Sequence, residues 1–123
     1  MSTTARGKKG EEQAVAALEA AGMKVIMKNY RARIGNARQL GEVDIIALDG
    51  ETVVFAEVKA WSVFGQEDLQ YGLNAKKQQK IIKTAKYFLL ENRKYSNMAI
   101  RFDVIFVNKY QVSHLASAFM ESV

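Results

Sequence analysis

Glu42, Asp44, Glu57 and Lys59 stand within one short stretch, GEVDIIALDGETVVFAEVKAW at 41–61. Their types suit chemistry at a bound cation. Carboxylates that converge on one point offer oxygen donors to a hard divalent ion such as Mg²⁺, which takes them at about 2.0–2.1 Å. An ammonium beside them can orient water and offset negative charge that builds up on a reacting group. Without a cation the clustered carboxylates repel, and their pKa values rise. The same charges equally fit a solvated strand end at which Lys59 pairs with Glu57 or Glu42, since surface ion pairs are common and individually weak.

Whether the carboxylates converge depends on how the two strands pair. Asp49-Gly50 separates two β-branched apolar runs, a strong local signal for a hairpin. A loop made of Asp49 and Gly50 sets Leu48 against Glu51, Glu42 against Glu57 and Asp44 against Phe55. Opposed residues share a face and faces alternate along a strand. Val43, Ile45 and Ala47 then join Val54, Ala56 and Val58 on an apolar face. The other face carries Ile46, Leu48, Val53 and Phe55 near the turn, and Glu42, Asp44, Glu57 and Lys59 at the open end. Asp44 and Glu57 become diagonal neighbours, with Cβ atoms roughly 7–8 Å apart or somewhat less. Both faces near the turn want burial, so the hairpin belongs at the centre of a sheet covered on two sides.

The flanking elements follow from spacing. Residues 10–21 are rich in helix formers, with Ala14, Val15 and Leu18 as the inward stripe and Gly22 as the stop. Glu11 shares that inward face; its bland role is to favour the positive end of the helix. Lys24 to Tyr30 reads as a strand. Arg31 to Leu40, with Arg31, Arg33 and Arg38 around Gly35-Asn36, reads as a hairpin tip or a mobile loop. Arginine matches phosphate with a rigid fork, so this loop suits either a DNA contact or plain solvation. Residues 62–72 read as a loop beside the site. Asn74 caps a helix that runs to about Asn92, with Ile81, Ile82, Ala85, Phe88 and Leu89 as its core stripe. Gln78 faces inward at its start, to border the site or to bond local backbone. Lys76, Lys77, Lys80, Lys83 and Lys86 make a basic face, either solvated or placed against phosphate. Ala99 to Asn108 is a further strand, followed by a short end containing His114, Leu115, Ala118 and Phe119. His114 is the sole histidine, remote in sequence from the carboxylates, and is read as structural.

Composition bounds the class. At 123 residues the chain makes one domain, 1–123, with 1–9 as a flexible basic arm. The absence of cysteine excludes disulfides and thiolate metal sites. No apolar run reaches the ~20 residues of a membrane span, and the polar, basic N-terminus is no secretory signal, so the expected location is the cytoplasm. The net charge of +5 favours polyanionic partners, nucleic acid first.

Asp44, followed after a dozen residues by Glu57-Val58-Lys59, resembles the Asp…Glu-x-Lys signature of the PD-(D/E)XK nucleases, the restriction-endonuclease-like superfamily. The longer runs Gly41-Glu42-x-Asp44-Ile45-Ile46 and Val54-Phe55-x-Glu57-Val58-Lys59 resemble the YraN family, small bacterial proteins similar to archaeal Holliday-junction resolvases. Similarity continues through Gly7-x-x-x-Glu11, Gly10-Glu11-x-x-Ala14, Asn29-Tyr30-Arg31, Lys77-Gln78 and Arg101-Phe102-Asp103-Val104-Ile105. The Arg31–Leu40 connection is longer than the family's usual one.

The resemblance implies a restriction-endonuclease-like α/β sandwich around a central mixed sheet, in the order α-β-β-β-α-β with a short C-terminal strand or helix. It implies a Mg²⁺-dependent endonuclease, with Mn²⁺ as a substitute ion, that cuts DNA to a 5′-phosphate and a 3′-hydroxyl. Branched DNA such as a four-way junction and a two-fold homodimer are further implications. The implied metal ligands are Asp44, Glu57, the backbone carbonyl of Val58 and, from the side, Glu11. Lys59 would orient water, and Gln78 would help position water or phosphate. Arg31, Arg33, Arg38, Lys76, Lys77 and Lys80 are the candidate DNA contacts. Two alternatives stay open: a nucleic-acid-binding module that keeps the fold without turnover, and an interaction protein that uses its basic helix on a protein or RNA.

Overall fold

The structure, a computed structural model, describes residues 5–34, 38–60 and 74–120, with the side chains at 5–8, 34, 38 and 39 outside that description. In chain order the elements are α1 (Ala5–Ala20), β1 (Lys24–Ile34), β2 (Arg38–Asp49), β3 (Thr52–Ala60), α2 (Ala75–Glu91), a 3₁₀ turn (Arg93–Tyr95), β4 (Ala99–Val107) and β5 (Val112–Phe119). The strands form one sheet in the order β1-β2-β3-β4-β5. All neighbours are antiparallel except β3 and β4, which are parallel and are joined through α2. This is the expected mixed sheet and element order, and the open choice at the C-terminus resolves to a strand. The first helix starts at Ala5, upstream of the expected boundary, so the basic segment before Gly10 is partly helical. β1 and β2 continue to the pair Ile34–Arg38, which makes the Arg31–Leu40 segment a hairpin end. The expected loop at 62–72 lies outside the described residues.

Local chemistry accounts for the boundaries. Gly22 adopts φ +91. Its N–H bonds to Glu19 O (3.0 Å), and the Met23 N–H bonds to Leu18 O (3.0 Å). That pair of bonds is a Schellman stop, which favours glycine at this position. At the start of α2, Asn74 Oδ1 accepts from the Lys77 N–H at 2.9 Å.

The hairpin turn departs from expectation by one residue. Asp49 pairs with Thr52 and Leu48 with Val53, so the loop is Gly50-Glu51. Gly50 supplies the positive φ (+60) at the first central position, the type II′ arrangement. Asp49 stays in the strand, where its carboxylate accepts from Arg101 Nη1 at 2.9 Å. The shifted register pairs Ile46 with Phe55 and Ile45 with Ala56. Asp44 and Glu57 are the next residues outward, past the end of the paired ladder.

Each face of the sheet packs one helix. Ala14 and Leu18 of α1 pack with Ile45, Ala47, Val54, Ala56, Ile105 and Val107. Ile81, Ile82, Ala85 and Phe88 of α2 pack with Tyr30, Ala32, Val43, Ile46, Val53, Phe55 and Phe102. Phe88 meets Tyr30 and Phe55 edge to face, at ring-centroid distances of 5.2 and 5.8 Å. The Tyr30 hydroxyl donates to Glu91 in the last turn of α2. Val43 packs on the α2 side, not with Ile45 and Ala47 as strict alternation predicts. The two-residue period is therefore interrupted at Asp44. Among the described residues no helix is long and apolar enough to cross a membrane.

Candidate active site

Asp44 sits where the alternation of β2 breaks, opposite the end of β3. Its Oδ2 accepts from the backbone N–H of Val58 at 2.8 Å, so the carboxylate lies over the strand between Glu57 and Lys59. The Asp44 and Glu57 carboxyls interact directly at the end of the hairpin. Burial pushes both groups up. The Asp44 charge and the shared hydrogen bond carry Glu57 to about 8, against the opposing pull of Lys59 and Lys77. On Asp44, the bonds from Val58 and Glu57 counter burial, while the charges of Glu42 and Glu11 add to it. Both carboxyls are therefore harder to ionise than free ones.

Glu11 reaches this end of the sheet from α1. Its Oε1 accepts from Asn29 Nδ2 at 3.1 Å. Asn29 lies level with Asp44, between the pairs Lys28–Ile45 and Tyr30–Val43, and has φ +54. Asparagine tolerates this left-handed conformation better than most residues. A strained turn in an edge strand thus holds a carboxylate of the facing helix.

Lys59 continues the face of Val53, Phe55 and Glu57. Its ammonium pKa is lowered, first by burial and then by the like charge of Lys77. Gln78 is half-buried on the first turn of α2, while Lys76, Lys77 and Lys80 are exposed. Glu42 pairs with Arg31 at 3.3 Å. Arg33 is exposed, and the side chain of Arg38 lies outside the described residues. The structure therefore brings Asp44, Glu57, Val58 and Lys59 together, sets Glu11 beside them, and leaves Arg31, Arg33, Lys76 and Lys80 on the surface.

Two adjacent carboxyls that burial makes costly to ionise form a donor set whose charge a hard dication can neutralise. Among the described residues no set of three acidic or histidine side chains converges closely enough to hold a metal alone. Glu11 acts on Asp44 through its charge. Asn29 and the Lys77 charge beside Lys59 are the parts that sequence reasoning missed. Nothing in residue spacing marks a left-handed asparagine, whereas the Lys77 charge was available from helical spacing.

A second polar cluster lies elsewhere on the sheet. Asp103 is fully buried, accepts two bonds of 2.9 Å from Arg101 and one of 2.9 Å from the Ser117 N–H, and lies 2.7 Å from His114 Nε2. An ionised carboxylate only accepts, so the imidazole N–H donates. Burial drives this carboxyl up, but the bonds from Arg101, Ser117 and His114 outweigh it and hold the pKa below the ordinary value. His114 is thus engaged in structure, as read from its position.

A family model described as "Uncharacterised protein family UPF0102" matches residues 10–107. A UPF0102 protein of Treponema denticola is 41% identical over 127 residues, covering 92% of this chain and 93% of that one. A UPF0102 protein of Persephonella marina is 36% identical over 114 residues, covering 93% and 92%. One from Sulfurihydrogenibium is 39% identical over 119 residues, covering 97% of each.

Proposed function

The chain belongs to the UPF0102 family, and from that premise we propose that it is a metal-dependent endonuclease that hydrolyses phosphodiester bonds in cytoplasmic DNA. The observation that carries this reading is the Asp44 carboxylate bonded to the Val58 N–H beside Glu57 at the end of β3, with Lys59 next in the strand. Asp44, Glu57 and the Val58 carbonyl would hold Mg²⁺ or Mn²⁺, with Glu11 contributing from α1. When bound, the ion supplies Lewis-acid stabilisation of phosphate charge and a more acidic water.

The chain's own residues supply the rest. Asp44 is oriented by the Val58 N–H before any ligand arrives. Lys59 orients the attacking water and offsets charge on the phosphorus centre in the transition state. Gln78, at the start of α2, positions water or phosphate. Water adds to phosphorus, the P–O3′ bond breaks, the 3′ oxygen takes up a proton, and the 5′ side keeps the phosphate. Arg31 and Arg33 on the β1–β2 hairpin and Lys76 and Lys80 on α2 would contact the backbone. Branched DNA and a symmetric homodimer belong to the same proposal. The absence of a third converging acid among the described residues favours one alternative, a DNA-binding module without turnover.

The test is incubation of labelled linear, flapped and four-way DNA with the protein in EDTA, Mg²⁺ or Mn²⁺, alongside Asp44→Ala and Lys59→Ala. Metal-dependent cutting lost in both variants is expected. Tight binding without cutting in either metal selects the binding module instead.

A further inference from the structure

Asn29 stands opposite Asp44 at the point where the sheet divides. On either side of it β1 and β2 keep one register, Lys28 with Ile45 and Tyr30 with Val43. Ile45 packs on the α1 side, whereas Tyr30 and Val43 both pack on the α2 side. Strict alternation would put residues two apart on one face. Both strands therefore turn over together across the Asn29–Asp44 pair, without slipping. The cause lies in β1: Asn29 holds φ +54, while among the described residues β2 has no positive φ. Beyond this point β2 leaves β3. Their pairing ends at Ile45–Ala56, although β3 stays with β4 as far as Ala60–Val107 and β2 stays with β1 as far as Arg38–Ile34. In the gap the Val58 N–H meets the Asp44 side chain, 2.8 Å from Oδ2, in place of a β2 carbonyl.

We propose that Asn29 is a positioning residue of the site: its left-handed backbone bends the β1–β2 hairpin away from β3, and its amide anchors Glu11 of α1 beside the opening. Asparagine meets both demands. It enters the left-handed region several-fold more readily than most residues. Its Nδ2 donates to Glu11 Oε1 at 3.1 Å. Opening the sheet leaves the half-buried Val58 N–H to a side chain, and such a group needs a partner. The bend thus fixes where the Asp44 carboxylate sits. One residue of an edge strand thereby sets carboxylates from two elements, β2 and α1. Groups that orient metal ligands in this way contribute strongly to affinity without touching the ion. The assignment rests on the nuclease reading only for what those carboxylates act on.

The test separates backbone from side chain. Asn29→Gly keeps the left-handed turn and loses the amide, whereas the β-branched Asn29→Val resists the turn and loses both. Amide hydrogen exchange of Val58 in the metal-free, full-length protein reports the bond to Asp44. Titration with Mn²⁺, followed by paramagnetic broadening, reports affinity at the site. Asn29→Gly should leave Val58 exchange as in the wild type and weaken Mn²⁺ binding about tenfold. Glu11→Ala should weaken it by a similar factor, with no further loss in the double variant. Asn29→Val should also speed Val58 exchange about tenfold, the loss of one charge-assisted hydrogen bond. Unchanged exchange of the β4 amides shows that the variants fold. Wild-type Mn²⁺ affinity in Asn29→Gly, or unaltered Val58 exchange in a folded Asn29→Val, would overturn the assignment, as would a wild-type protein that takes up no Mn²⁺. The DNA-cutting assay on the same preparations separates the two readings. Asn29-dependent Mn²⁺ binding without cutting keeps the assignment and rejects the nuclease, whereas Mn²⁺-dependent cutting with unaltered binding and exchange in both variants does the reverse.

Discussion

The raised pKa of Glu57 couples the site to pH. Glu57 releases its proton only as pH rises through about 8. A dication that takes both carboxylates must displace that proton, so binding of Mg²⁺ or Mn²⁺ at pH 7 should release about one proton per ion. Calorimetry in buffers of different ionisation enthalpy measures this directly. Apparent affinity should climb with pH up to about 8 and then level off, and Glu57→Gln should abolish the release. Glu57 and Lys59 are legible in the sequence because a period of two sets them on one strand face, and the hairpin signal brings Asp44 to the same end. The turn falls one residue from its expected place, since Asp49-Gly50-Glu51 accepts glycine at either central position. Type II′ prevails here, and it leaves Asp49 in the strand to receive Arg101. Asn29 is not legible as a site residue, because its left-handed backbone answers to the packing of three elements and not to its neighbours in sequence.

At the scale of elements, Gly41 sets how closely β2 and α2 approach. A Cβ added there would fall 2.4 Å from Thr84 Oγ1 and 3.3 Å from Lys80 O. Thr84 cannot swing away cheaply, since it is fully buried and its hydroxyl donates to Lys80 O at 2.7 Å. Gly41→Ala should therefore destabilise the fold by about 1–3 kcal/mol through overpacking. The urea midpoint reads this loss, and adding Thr84→Ala should recover part of it. The amino-acid sequence marks Gly41 only as part of a motif, with no clue that the Thr84 hydroxyl on α2 is the reason for glycine. The helix limits at Gly22 and Asn74 are readable because capping chemistry is local. The break in alternation at Asp44 is not, because it depends on Val43 joining the other core.

For the molecule as a whole, the buried Asp103 ties β4 to β5 and, through Arg101, to the β2–β3 turn. Its folded pKa lies below the ordinary 3.8. Its contribution to stability is therefore complete above that value and disappears as pH falls through the lower, folded one. Asp103→Asn should lower stability at pH 7 and flatten the acid side of the stability curve, as chemical denaturation at several pH values would reveal.

The topology also orders events in time. The β2–β3 hairpin closes over a two-residue turn, whereas β3 meets β4 only after α2 has crossed between them. Short loops close at small entropic cost and form early, while long-range strand pairing waits. Asp44, Glu57 and Lys59 all belong to that hairpin, whereas Gln78 arrives with the crossover. A refolding chain thus acquires the strand half of its site before the helical half, and a metal ion present from the start would meet the carboxyls first.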